Sequence, residues 1–211
     1  MRFTTYSHRH AGTLFTSEEP YHTLWREVSS ALDSISDDDL ILLYTTKYQG
    51  SMSISAAINE LIRGRLIPMG WSTESPIFAD PKYNARQETR WRLDFAKDEV
   101  SVEVAFNHGE ASAWNLLKPV LASELNHVQK AIQTSAGVLI AATESMKKAG
   151  AFDGAVGTYE SFVRYLAPLN NILSVPILLV GLEPPESFSV EKFKVGNKHS
   201  GRIVRRDPAR S

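Results

Sequence analysis

Two short, unbroken apolar runs constrain this chain more than any other feature. "GVLIAAT" (Gly137–Thr143) and "VPILLVGL" (Val175–Leu182) show no polar alternation, so neither can lie with one face in water. Such runs mark strands covered on both sides, at the centre of a sheet with helices above and below. Between them, "GTYESFVRYLAPL" has the three- and four-residue apolar spacing of an amphipathic helix. Strand, helix and strand in succession build an α/β sheet.

The flanks add helices. "EEPYHTLWREVSSALDSI" puts Tyr21, Leu24, Val28, Leu32 and Ile35 on one face, with Pro20 in the first turn. "SMSISAAINELIRGRLIPMGW" repeats the spacing through Ile54, Ala57, Ile58, Leu61 and Ile62, with Ser51 or Ser53 as cap and Pro68 beyond the end. Ser72 to Glu88, with Pro76 and Pro81, reads as loop. "SAWNLLKPVLASELNHVQKAIQT" reads as one long helix despite Pro119, with an apolar surface fit for core or dimer face. The 211 residues make one domain, 1–211, of the α/β class: a central mixed sheet flanked by helices.

The chain has no cysteine, which excludes disulfides and thiolate-held zinc and agrees with a reducing cytoplasm. "MRFTTYSHRH" lacks the apolar core of a signal peptide, and no apolar run approaches the length of a membrane span. A net charge of -1 gives no support to nucleic-acid binding by bulk charge. The charge is unevenly spread, however. The tail, about 190–211, holds Lys192, Lys194, Lys198, Arg202, Arg205, Arg206 and Arg210 near its end, and "DSISDDDL" is acidic. A basic tail is either a solvated, poorly ordered end or a phosphate-contacting arm.

The chemistry concentrates in "RWRLDFAKDEVSVEVAF", Arg90 to Phe106. A turn at Asp98–Glu99 makes this a hairpin that pairs Phe95 with Val102 and Asp94 with Glu103. Alternation puts Val100, Val102, Val104, Phe106 and Phe95 on the core face. Ser101, Glu103, Ala105 and Asn107 share the other face with Arg92 and Asp94. Two carboxylates directly opposite each other destabilise a sheet unless something offsets them. A divalent cation with oxygen ligands does so. So does a proton, or a pair with Arg92 or Lys97, and a solvated surface pair steadied by basic neighbours is the simplest alternative.

The flanking residues resemble a known family. Asp94-x8-Glu103-x-Ala105 is close to the PD-(D/E)xK nuclease pattern, and "DFAKDEVSVEVAFNH" resembles the catalytic hairpin of BglII/BstYI-type type II restriction endonucleases. "INELIRGRLIPMGW" is similar to the helix of those enzymes that begins with Asn and ends in Trp, here Asn59 to Trp71. "VRYLAPLNNILSVPILLVGL" resembles their closing helix and strand. The likeness runs from about Tyr21 to Leu182.

The resemblance implies a bacterial, cytoplasmic homodimer that cuts palindromic double-stranded DNA with Mg²⁺, at sites centred on GATC. It implies Asp94 and Glu103 as catalytic residues and metal ligands, and Asn59 as the polar group from the preceding helix. Asn107 and His108 would face the major groove. The Gly-rich loop from Lys147 to Gly157 and Thr158 would either approach the bases or serve as an ordinary strand-to-helix connection. Ala105 is the departure, since relatives carry Gln, Glu or Lys there. Another group, with Glu110, His108 and Glu124 as candidates, or a metal-bound water fills the gap; or the position carries an inactivating substitution; or the protein is a sequence-specific DNA binder with cutting weakened or lost. Outside DNA altogether, the acids would hold a structural cation.

Overall fold

The computed structural model describes residues 1–206 apart from 86, 88, 125, 126 and 197. Chain order is β1 (Phe3–His8), α1 (Ala11–Ser17), α2 (Tyr21–Asp33), α3 (Asp37–Thr46), α4 (Ser55–Leu66), β2 (Ser72–Pro76), α5 (Pro81–Asn84), β3 (Arg92–Lys97), β4 (Val100–Val104), α6 (Ser112–Ser123), β5 (Ala136–Ala142), α7 (Glu144–Ala149), α8 (Tyr159–Leu166), β6 (Ile177–Leu182), β7 (Phe188–Val195) and β8 (Lys198–Arg205).

Six strands form one mixed sheet in the order β1-β6-β5-β4-β3-β2. The two apolar runs are β5 and β6, parallel neighbours whose residues are all buried. β4 joins β5 in parallel, and the β3–β4 hairpin and β2 complete that side antiparallel. Among the described residues, no helix is long and apolar enough to cross a membrane.

The larger core lies on one face of the sheet. It joins Phe15, Leu24, Leu32, Ile58 and Ile62 to Val102, Val138 and Val180. On the other face α6 and α8 bring Leu116, Val120, Phe162 and Leu166 against Ala105, Leu139 and Leu179. A smaller cluster near the β2 edge holds Ile77, Phe78, Leu93 and Ala122. There Trp91 and Trp114 meet edge to face at 5.1 Å.

Some elements differ from expectation. Helix α6 ends at Ser123, because the returning chain takes its last carbonyls. Lys130 Nζ donates to Leu121 O, the Thr134 amide to Ala122 O at 3.3 Å, and Gln133 Nε2 to Ser123 O. His127 thus lies outside the helix, at φ 59°. The proline-bearing stretch after Trp71 contains the edge strand β2, where prolines are tolerated. The acidic run opens α3. Ser36 and Asp39 form a reciprocal capping box, and Asp37, Asp38 and Asp39 sit at the positive end of the helix dipole.

The basic tail is a β-hairpin over 188–205 rather than a loose end. Phe188 and Val190 anchor it in the main core, and Ser187 bonds Asp37 through both its amide and its hydroxyl. Residues 207–211, with Arg210, lie outside the described residues.

Candidate active site on the β3–β4 hairpin

The hairpin forms in the expected register, with Lys97 opposite Val100, Ala96 opposite Ser101 and Phe95 opposite Val102. Asp98 takes the turn at φ 46°, a left-handed conformation that Asp tolerates better than most residues. One step beyond Phe95–Val102 come Asp94 and Glu103, whose side chains make the bonds across the strands. Asp94 Oδ2 accepts the Val104 amide at 2.7 Å, and Glu103 Oε1 accepts the Asp94 amide at 3.3 Å. Each acid is therefore held by the other strand's backbone.

Asp94 is half-buried and Glu103 is withdrawn from solvent. Glu103 is 1% exposed, because α6 covers this face of the hairpin. Burial, and then the nearby Asp94 carboxylate, push the Glu103 carboxyl up to about 8, against the pull of Lys118. Burial also raises Asp94, opposed by Lys118 and the Val104 amide. Arg92 and Lys97 are committed elsewhere: Arg92 donates to the carbonyls of Glu74 and Asn84, and Lys97 to Glu27 and Met69 O. The cation beside the acids is Lys118 of α6, whose Nζ lies 2.6 Å from Glu103 Oε2. Sequence reasoning missed it because it sits fifteen residues past Glu103 on a separate element; its one sequence signal was a lysine in an otherwise apolar helical stretch.

Asp94 opens onto a cleft of about 700 Å³ between α4 and the hairpin, with Asn59, Lys47, Arg63 and Glu74 on its walls. The fold thus brings Asn59 and Asp94 to one space. Asn107 and His108 follow β4 and are exposed. Asn107 Oδ1 accepts Asn115 Nδ2 at 2.9 Å, and its carbonyl accepts the Gly157 amide at 3.3 Å. His108 pairs with Val156 in an antiparallel bridge. Gly157 and Thr158 are buried, and the Thr158 hydroxyl donates to Glu144 Oε1 at 2.8 Å, so this loop braces the strand end. Glu110 and His108 are exposed and Glu124 accepts Ser174 Oγ; the group against Glu103 is none of these three.

Two adjacent carboxylates with one ammonium against Glu103 offer hard oxygen donors, and they carry an excess negative charge once Glu103 gives up its proton. Among the described residues there is no cluster of three His, Cys, Asp or Glu. That set fits a hard divalent cation that keeps waters and takes substrate oxygens, as Mg²⁺ does.

A mixed sheet with an acid pair on the β3–β4 hairpin, one acid buried and the other opening onto a cleft, is the architecture of a type II restriction endonuclease, a site-specific nuclease. The chain belongs to the restriction endonuclease BglII/BglIII family, whose model matches residues 3–182. No curated protein matches it. Solved structures share its fold. The crystal structure of restriction endonuclease BglII complexed with a DNA 16-mer superposes with TM-score 0.67 at 19% identity, over 98% of this chain and 100% of that one. That of free BglII gives TM-score 0.57 at 19% identity, with the same coverage.

Proposed function

We propose that this protein makes Mg²⁺-dependent double-strand cuts in palindromic DNA with a GATC core, acting as a homodimer, with Asp94 and Glu103 as the metal ligands. One observation carries the reading: two mutually positioned, largely buried acids stand at the end of the β3–β4 ladder, and one of them faces an open cleft. The DNA complex of the fold relative supports a DNA partner. The GATC core rests on the likeness of the hairpin and its flanks, and the dimer on the two-fold symmetry of a palindromic site.

Phosphodiester hydrolysis needs an activated water, neutralisation of charge on the phosphate and help for the leaving 3′ oxygen. A bound Mg²⁺ supplies Lewis acidity and a water of lowered pKa. The chain's own contribution is a site that needs no reorganisation, because each carboxylate is fixed by a backbone amide of the opposite strand. On the cleft wall Arg63, which donates to Thr73 Oγ1 at 2.9 Å, is assigned to phosphate positioning and Asn59 adds a neutral donor, while Lys47 is paired with Glu60 of the same wall at 2.6 Å. Asn107 and His108, exposed beyond β4, are assigned to base edges. Gly157 and Thr158 support them from beneath.

Incubation with duplexes that differ only at a central GATC, followed by sequencing of the ends, tests the site; the mass in solution tests the dimer. Cuts confined to GATC-centred duplexes, made by a species of twice the chain mass, are the expected outcome. Equal cutting of all duplexes refutes the specificity.

A further inference from the structure

The proposed site has two acids from the strands and, at Ala105, no polar side chain two residues beyond the second acid. Ala105 is 1% exposed and packs in one apolar cluster with Leu116 and Val120 of α6. The helix therefore covers the space that a longer side chain at this strand position would occupy.

The same helix delivers a polar group from above. Asn115 and Lys118 are one turn apart on α6, and both are buried, at 3% and 8% exposure. Asn115 bonds Asn107 beyond the strand end, and Lys118 bonds Glu103 inside it. A lysine this buried is rare unless paired, since withdrawing an ammonium from water is costly. Among the described residues its acceptor is Glu103 Oε2, which leaves two of its three N–H donors uncommitted. The position is set closely: the next residue, Pro119, rests against Gly137 of β5, where an added Cβ would lie 2.7 Å from Pro119 Cβ.

We propose that Lys118 supplies from α6 the third polar group of the active site that Ala105 withholds from β4, as a positioning residue that orients Glu103 beside Asp94. The inference rests on the reading of Asp94 and Glu103 as metal ligands. Groups that orient a ligating carboxylate typically change metal affinity about 10- to 100-fold when lost.

The test compares wild type, Lys118→Met, Lys118→Arg and the exchange Ala105→Lys/Lys118→Ala. Cleavage kinetics with Mg²⁺, Mn²⁺ titration by calorimetry and thermal melting are read for each. For Lys118→Met the expected result is a folded protein whose kcat falls at least about 10²-fold, whose KM is little changed and whose Mn²⁺ affinity falls about 10-fold. Lys118→Arg recovers part of both, and the exchange, which moves the lysine to the strand while emptying its old place, recovers at least part of the Mn²⁺ affinity. Wild-type cutting and Mn²⁺ affinity in Lys118→Met overturn the proposal, as does loss that only tracks unfolding with no recovery in either other variant. A wild-type protein that does not cut counts against the function, and the Mn²⁺ titration series then decides the role of Lys118.

Discussion

Pro119 of α6 lies directly on Gly137 of β5, so close that a Cβ on Gly137 would sit 2.7 Å from Pro119 Cβ. This contact sets the height of the helix above the sheet, and with it the reach of Lys118 to Glu103. Gly137→Ala should therefore cost about 1–3 kcal/mol through overpacking, and reduce cleavage beyond what the loss of folded protein explains. Gly154→Ala, where an added Cβ meets nothing within 4 Å, serves as the control. Denaturant unfolding of both variants checks this, and equal stability of the two contradicts it.

The acids themselves make a sharper prediction. Asp94→Ala or Glu103→Ala should lower Mg²⁺-dependent cleavage at least about 10³-fold, since each removes a proposed metal ligand. Metal-free binding to the specific duplex should survive, because phosphate and base contacts come from other residues. Gel-shift and cleavage assays on the same preparations test the separation, and undiminished cutting by both variants removes them from the chemistry.

Glu103 gives a pH dependence. Its carboxyl is raised in the folded protein to about 8, chiefly by burial and then by Asp94. Between its ordinary value and that one, the folded protein keeps a proton that the unfolded chain releases. The resulting stability is present at low pH and is lost as pH rises towards 8, on the order of a few kcal/mol. In EDTA, melting should therefore fall from pH 5 to 8 in the wild type and more gently in Glu103→Gln. Metal binding must displace the same proton, so apparent Mg²⁺ affinity should climb over that range and level off above it. A metal affinity that does not change with pH contradicts the assignment.

How much of this was legible in the sequence follows from which interactions are local. β5 and β6 were evident because burial on both faces leaves a continuous apolar run, and the β3–β4 register because alternation fixes a hairpin. The acid pair was legible for the same reason. α6 was read too long, because its end is set by bonds from Lys130, Gln133 and Thr134, which no local pattern displays. The capping role of Asp39 with Ser36 was local and was overlooked as mere charge. Lys118 lay beyond reach: only the packing of α6 on β5 puts it against Glu103. The hairpin at 188–205 was hidden by basic residues such as Lys192, Lys194, Arg202 and Arg205, which are exposed on two strands anchored by Phe188 and Val190.

That hairpin supplies a further prediction. Lys192 and Lys194 are exposed on β7, and Lys192 Nζ donates to Phe152 O. Lys192, Lys147 and His108 all bear electrostatically on Asp153, which places this strand near the His108 end of the site. If the two lysines contact phosphates, changing both to alanine should weaken binding to all duplexes alike and reduce the salt slope by about 2. Fluorescence anisotropy across a salt series checks it, and an unchanged slope rules the hairpin out as a phosphate contact.

Metal-dependent, site-specific cleavage is decided by a plasmid assay. Purified protein is incubated with methylation-free plasmid rich in GATC-centred palindromes, with Mg²⁺ or with EDTA. Discrete fragments with Mg²⁺, ends that share a GATC core, and intact DNA with EDTA are expected. Plasmid left intact under both conditions by a folded, DNA-binding protein would contradict metal-dependent cleavage.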